Sequence, residues 1–482
     1  MKKTKIVCSI GPASSSIEVF SKMVEEGMNV ARINFSHATV EECETVVSLV
    51  REVNKDNKNH IAIMYDTKGP DFRTGNLENE EIELIPGNLI KIVKEDVLGN
   101  QERFTVNYKS AIDTLQIGNI ILIEDGMFKL QVIDKDSESL TCKIIVGGTL
   151  GSRKGINVPG VDLDEPFLSD IDIRDIKYAC HNGGDFIALS FVSCADDVRA
   201  VRDLIASEGS NMKIVSKIES TGAIKNIDEI VAASDGVMVA RGDLGVEVPM
   251  SELPILQKMI VKKCREYGKF CIVATEMLSS MTKNIRPTRA EVSDVANAVL
   301  DGTDAVMLSN ETTIGKYPIE AVSIMAKVCE NVEQHLDYEN VILPHKRRNV
   351  RNTIAHSVAS GANWLNASAI VASTLSGKIA RRISTLRPKA VIIAACTKPE
   401  VARSLALNFG IYADVVPVLN STDDIVDNGI EISKRILNLQ TGDKIIITGG
   451  SPLDAARAKE DICADIIEQL EKALQGRGQL CR

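Results

Sequence analysis

Short apolar runs alternate with amphipathic stretches along most of this chain, which predicts a parallel α/β architecture. "KIVCSI" at 5–10 reads as a first strand. The stretch behind it places Val19, Phe20, Met23 and Val24 on one helical face, between a Ser15/Glu18 capping box and a stop at Gly27. "NVARINF" and "IAIMYD" are the next two strands, with a helical stretch at 39–54 between them. From 71 to about 164 the pattern changes: "EIELIPGNLIKIV", "ERFTVN", "NIILIEDGMFKLQVI" and "LTCKIIVGGTL" are joined by Gly, Asn and Asp turns with no long helical period. From 169 the helix–strand rhythm resumes, with strands at "FIALSF", "MKIVSKI", "DGVMVA", "KFCIVAT" and "DAVMLS". The helix at 288–300 opens with Thr288 and Glu291 in capping-box spacing and puts Val292, Val295, Ala296 and Val299 on one face.

Eight parallel strands on the two sides of an all-β insertion predict a TIM (β/α)8 barrel with an inserted small β-barrel lid domain. Residues 336–352, polar and containing Pro344, read as a linker. Beyond them "AIVAST", "KAVIIAAC", "DVVPV" and "DKIIITGG" alternate with helices in a C-terminal open α/β domain. The expected division is 1–70 and 165–338 for the barrel, 71–164 for the lid, and 339–482 for a regulatory or oligomerisation domain.

Composition narrows the class. Of 482 residues 44% are apolar and 25% charged, the balance of a folded chain, and the net charge of -10 disfavours nucleic acid and anionic membranes as partners. Eleven cysteines with no CxxC pair read as reduced thiols, neither disulfides nor a zinc site, which points to the cytoplasm. The apolar stretch around Ile6 is too short for a signal sequence, and no run approaches the ~18 apolar residues of a membrane span.

In such a barrel the chemistry belongs at the carboxyl ends of the strands. "KIVSKIES" brings Lys217 and Glu219 to the end of strand five, and "VMVARGD" brings Asp243 to the end of strand six. Two carboxylates on adjacent strand ends suit Mg²⁺, and a lysine beside them can stabilise charge on a transferring phosphoryl group. The alternative is a barrel-mouth salt bridge with Asp243 in a turn. The "RGD" tripeptide follows a buried-type strand, so an adhesion motif is not expected. Thr275, ending strand seven, can donate to a substrate or bond its own backbone. Strands two and three end in Arg32, Asn34, Ser36, His37, Asp66, Thr67 and Lys68, where oxygens suit a weakly held cation and the basic groups suit phosphate; Asn34 or Ser36 can equally cap the next helix. In "STLSGKIARRI", Ser376 and Gly377 open a helix followed by Lys378, Arg381 and Arg382, either an anion site or a helix capped by Ser373, Thr374 or Ser376. There is no HExxH spacing and no Ser-His-Asp constellation.

These strand ends resemble those of the pyruvate kinase family. The likeness runs through "TKIVCSIGPAS", "NVARINFSHA", "DTKGP", "RKGINVPG", "SKIES", "SDGVMVARGDLGVE", "ATEMLSSM", "RPTRAEVSDVANAVLDGTDAVMLS" and "GKYPIEAV". It implies a cytoplasmic homotetramer that transfers phosphate from phosphoenolpyruvate to ADP in glycolysis, with Mg²⁺ (or Mn²⁺) and K⁺ as cofactors. It further implies that Lys217 stabilises the phosphoryl group in transfer and the enolate left behind, and that Glu219 and Asp243 hold the divalent metal. Arg32, Asp243, Thr275 and the Gly242 backbone would contact substrate, with Thr275 on the face where the enolate receives its proton. Asn34, Ser36, Asp66 and Thr67 would form the K⁺ site, Arg73, Lys154 and His37 the nucleotide contacts, and Thr374, Ser376, Gly377 and Lys378 an effector-phosphate loop.

The chain departs from the family pattern at Asp71 and Phe72, Ser193, Glu276 and Asn310, and Ile379 replaces a small hydroxyl residue in the effector loop. The C-terminal stretch after Thr448 reads as a helix where the family has a Gly-rich loop and final strand, so activation by fructose-1,6-bisphosphate is not expected. Two competing readings are a catalytically reduced paralogue sensing phosphometabolites and a metal-dependent aldolase or lyase acting on a pyruvate enolate. Retention of Lys217, Glu219, Asp243 and Thr275 opposes the first; Arg73, Lys154 and the lid oppose the second.

Overall fold

Eight short apolar segments close into a barrel in the computed structural model, which describes residues 1–55, 59–161, 163, 166–338, 350–419, 421–440 and 442–449. They are β1 (Lys5–Ser9), β2 (Val30–Asn34), β3 (Ala62–Asp66), β4 (Phe186–Leu189), β5 (Lys213–Ile218), β6 (Gly236–Ala240), β7 (Phe270–Ala274) and β8 (Ala305–Leu308). Each pairs in parallel with its neighbours, and β8 returns to β1 with Lys5 opposite Ala305. Strands covered on both faces are largely apolar, which is why most of them read as near-continuous apolar runs, with polar residues such as Arg32 and Lys217 towards their carboxyl ends. Val7, Val30, Met64, Phe186, Val215, Met238 and Phe270 form one cluster; the intervening residues join the layer under the helices. Gly236 is demanded by this packing, since a Cβ there would fall 2.0 Å from the Phe270 ring.

The helices are capped largely as the sequence indicates. Thr39 with Glu42 and Thr288 with Glu291 form capping boxes. The first cap is displaced by one residue: Ser16, in extended conformation, accepts from the Val19 amide, so Ser15 lies outside the helix Ile17–Glu25. On the helix Arg289–Asp301 the buried positions are Val295, Ala298 and Val299, with Ala298 taking the place expected for Ala296.

Between β3 and β4 a six-stranded and a two-stranded sheet enclose their own core, with Leu84, Ile90, Phe104, Ile123 and Leu130 buried. Within these sheets, over residues 71–161, the longest helix has five residues, Ser110–Thr114. The C-terminal part holds β9 (Ala369–Thr374), β10 (Val391–Cys396), β11 (Ile411–Val415) and β12 (Ile445–Thr448), all parallel in the order β11-β10-β9-β12. β11 lies three residues ahead of the expected "DVVPV": Pro417 has no amide to continue the ladder, whose last bond is Val416 N to Cys396 O. The expected linker ends early, because a helix, Val350–Leu365, begins inside it. The predicted C-terminal helix falls outside the described residues.

The C-terminal part covers the amino-terminal end of the barrel. Leu407 joins the barrel-interior cluster, Arg387 pairs with Asp304 at 3.0 Å, and Arg403 pairs with Asp185 at 2.9 Å, both acids standing just before barrel strands. The inserted sheets leave from the opposite end and reach back to the barrel through Asn157 and Glu247, 3.4 Å apart.

Candidate active site

The carboxyl ends of β2 to β7 bring the expected residues into one mouth. On β2 the Arg32 Nε donates to Asp66 Oδ2 at 2.7 Å, and its Nη1 donates to Ser9 Oγ at 2.7 Å. Asp66, fully buried at the end of β3, also faces Lys217 Nζ at 3.3 Å. Lys217 pairs with Glu219 Oε1 at 2.8 Å and donates to Ser190 Oγ at 2.7 Å. β5 ends at Ile218, so the extended geometry expected of Lys217 and Glu219 holds only up to the strand end, yet the two side chains meet.

Ser190 and Phe191 were not evident from sequence. Ser190 Oγ donates to the Thr67 carbonyl at 2.8 Å, and the Phe191 amide donates to Glu219 Oε2 at 2.6 Å. Phe191 has φ +57, so the chain turns left-handed here to aim its amide. The signal lay in the polar serine closing an otherwise apolar "FIALSF".

Electrostatics separate the two acids beside Lys217. Burial alone would depress the Lys217 ammonium, but Asp66 and then Glu219 outweigh it and its pKa stands above the usual lysine value. Burial likewise works against ionised Asp66, yet Arg32 and Lys217 hold its pKa below the ordinary carboxylate value. Glu219 is pushed up to about 7 by burial and by the like charge of Asp243, against the pull of Lys217. Asp66 is therefore the settled counter-charge, while Glu219 and Asp243 are two acids that repel one another at the mouth. Such a donor set fits a hard divalent cation. Among the described residues no group of three or more His, Cys, Asp or Glu is placed to hold a metal, so such an ion would complete its shell with water or substrate oxygens.

The residues of "RGDLGVE" do not continue β6. Arg241–Glu247 form a short helix that places Asp243 in its first turn. Gly242 N donates to Thr275 Oγ1 at 2.8 Å, and that hydroxyl donates to the Ala274 carbonyl at 2.6 Å. Of the two alternatives for Thr275, the structure shows the second, a hydroxyl that donates to its own backbone. Thr275 and Glu276 are consecutive left-handed residues, at φ +68 and +53, an arrangement costing about 1–3 kcal/mol each. Arg241 is buried beneath them.

Other expected residues stand apart. Ser36 and His37 are exposed, and Asn34 Oδ1 accepts from the Ser36 amide in a local turn; neither residue caps the next helix, Val40–Val53, whose cap is Thr39. Thr67 is buried, its hydroxyl accepting from the Ser190 amide at 3.2 Å. Arg73 pairs with Asp71, Lys68 lies 3.6 Å from the same acid, and Lys154 pairs with Glu124 at 2.5 Å. A cavity of about 550 Å³ in the inserted domain is lined by Arg73, Asn76, Asn107 and Arg153 among others. The loop at 374–378 lies in the C-terminal part, where Thr374 Oγ1 accepts from the Gly377 amide and Arg381 turns to Ser404, at 2.8 Å.

Some of the departures have local settings that the structure shows. Ser193 donates from its amide and hydroxyl to Asp197, opening the next helix. Asn310 is exposed at the start of a four-residue helix, and Ile379 packs on the C-terminal core. Nine cysteines among the described residues are free thiols.

A family model described as "Pyruvate kinase, barrel domain" matches residues 1–322, and "Pyruvate kinase, alpha/beta domain" matches 352–460. The chain belongs to the pyruvate kinase family. It is 43% identical to a pyruvate kinase of Geobacillus stearothermophilus over 99% of this chain and 82% of that protein. To one of Staphylococcus saprophyticus it is 44% identical over 94% of this chain and 78% of the relative. The crystal structure of a pyruvate kinase from Cryptosporidium parvum aligns with TM-score 0.90 at 39% identity, covering 93% of this chain and 94% of that one. Membership of this family makes the barrel mouth, with Lys217 at its centre, the place to seek the phosphotransferase chemistry.

Proposed function

We propose that the barrel mouth transfers the phosphoryl group of phosphoenolpyruvate to ADP, giving pyruvate and ATP. The observation that carries this reading is the Lys217 ammonium, set between Asp66, Glu219 and Ser190 with two mutually repelling acids beside it. Phosphoryl transfer asks a protein mainly for positive charge held where negative charge develops. With its pKa raised, Lys217 stays protonated at neutral pH and serves as a fixed cation, not as a proton donor.

In the proposed reaction a β-phosphate oxygen of ADP bonds to phosphorus as the bond from phosphorus to the enol oxygen breaks. Lys217 lies against the phosphoryl oxygens in transit and then against the enolate oxygen. Arg32, already fixed by Asp66 and Ser9, binds the substrate phosphate. Thr275 stands on the face where carbon 3 of the enolate takes a proton, which completes pyruvate. Gly242 leaves its backbone open to substrate; a Cβ there would meet Thr275 Oγ1 no closer than 3.6 Å, so protein packing does not demand the glycine. Glu219 and Asp243 would hold Mg²⁺ or Mn²⁺, which supplies positive charge to the phosphate and enolate oxygens. Asn34, Ser36, Asp66 and Thr67 would hold K⁺, a role suited to neutral oxygens with one carboxylate.

Arg73, Lys154 and His37 would meet the nucleotide phosphates, with the inserted sheets closing over the mouth and excluding water as a competing acceptor. For Arg73 and Lys154 this requires exchanging Asp71 and Glu124 for phosphate. The proposed setting is a cytoplasmic homotetramer. Pyruvate formation from phosphoenolpyruvate and ADP, measured with and without Mg²⁺ and K⁺, tests the reading. Turnover that needs both ions supports it, and no turnover by the wild-type chain overturns it.

A further inference from the structure

Arg241 is the least exposed charged side chain of the 241–247 helix, 8% accessible, and none of the steps above uses it. Its Nε and Nη2 both donate to the carbonyl oxygen of Thr275, at 3.3 and 2.7 Å. Nη1 pairs with Asp294 at 2.7 Å and reaches Gln257 Oε1 at 3.5 Å, while Nη2 also approaches the Met277 sulfur at 2.9 Å. Gln257 in turn donates to Asp301 at 3.0 Å, so the guanidinium is braced on the helix Arg289–Asp301 directly at Asp294, near its middle, and through Gln257 at its last residue.

What this fork grips is unusual. Thr275 is β-branched and stands at φ +68, with Glu276 at φ +53 behind it. A β-branched residue in that region is a backbone outlier that persists only where its surroundings over-determine it. Here two consecutive residues of the 241–247 helix supply the constraint. Arg241 fixes the Thr275 carbonyl, and the amide of Gly242 fixes its hydroxyl at 2.8 Å.

We propose that Arg241 is a positioning residue for the proton-transfer half of the reaction: braced on Asp294, it clamps the left-handed Thr275 so that the threonine hydroxyl faces carbon 3 of the enolate. The inference rests on the reading of Thr275 given above. The step it serves adds one solvent-derived proton to carbon 3 as the enolate collapses to the ketone, with no other bond changed. A lysine could hold the Thr275 carbonyl or Asp294 but not both with a planar fork, so the conservative change is informative.

The test follows exchange of the pyruvate methyl hydrogens with D₂O by NMR, in the presence of Mg²⁺, K⁺ and ATP, beside steady-state turnover. Variants are Arg241→Met, Arg241→Lys, Thr275→Ala and the double variant Thr275→Ala/Arg241→Met. Arg241→Met is expected to slow exchange and kcat by about tenfold or more while KM for phosphoenolpyruvate stays within about threefold. Arg241→Lys should recover part of that loss, and the double variant should be no slower than Thr275→Ala alone, because both changes disable one unit. Exchange at the wild-type rate in a folded Arg241→Met, with Thr275→Ala impaired, overturns the role of Arg241 alone. Losses that multiply in the double variant overturn it as well. Unimpaired exchange and turnover in Thr275→Ala instead overturn the reading of Thr275 and, with it, this proposal. Should Arg241→Met fail to fold, Asp294→Asn removes the brace while leaving the fork, and the same split between exchange and KM decides.

Discussion

The Lys217 ammonium stands 2.8 Å from the Glu219 carboxylate, yet Glu219 remains harder to ionise than an ordinary glutamate, because burial and Asp243 oppose its charge. A cation shared by the two acids would relieve that repulsion. Asp243→Asn is therefore expected to raise the Mg²⁺ concentration for half-maximal turnover by about 10- to 100-fold, with rescue at high Mg²⁺. A Mg²⁺ titration of the rate measures this, and an unchanged requirement would remove Asp243 from the metal site.

Ser190 connects Lys217 to β3, accepting from the ammonium and donating to the Thr67 carbonyl. In Ser190→Ala the lysine loses one of its three anchors and a buried carbonyl loses its donor. Turnover should fall by about tenfold, and unfolding free energy by about 1–2 kcal/mol. Steady-state kinetics and denaturant titration read the two effects separately. A loss of stability with full activity would make Ser190 a packing residue only.

The sequence is most legible where one physical cause dominates. The barrel strands are buried on both faces, so most of them read as largely apolar runs, and the insertion announces itself by losing the helical period. β11 is different: as an edge strand it mixes Tyr412, Ala413 and Asp414, and the more apolar "VVPV", which overlaps only its last residue, draws the expected strand forward although Pro417 cannot extend a ladder. At the site, Lys217, Glu219 and Asp66 are visible because strand-end position alone assigns them to the mouth. Ser190, Phe191 and Arg241 are not, because their work depends on left-handed turns at Phe191 and Thr275 that no spacing rule encodes.

A pH effect is expected at the other end of the barrel. Burial raises the pKa of Asp185 to about 6, against the pull of Arg403. The folded chain thus holds this proton more tightly than the unfolded one, and the resulting stability is present at low pH and lost as pH rises through about 6. Asp185→Asn removes the titration. Between about pH 5 and 7 the stability difference should shift by about 1 kcal/mol in favour of the variant. Chemical denaturation of both proteins across that range checks it, and a pH-independent difference would contradict the shift.

In the proposed reaction Lys217 supplies the charge that carries the phosphoryl group. Phosphoryl transfer from phosphoenolpyruvate to ADP by Lys217→Met, followed by ³¹P NMR beside the wild type and with folding checked by circular dichroism, tests it most directly. A fall of about 10²- to 10³-fold or more in rate, with the fold intact, is the predicted result. Undiminished transfer in the folded variant would remove Lys217 from that role.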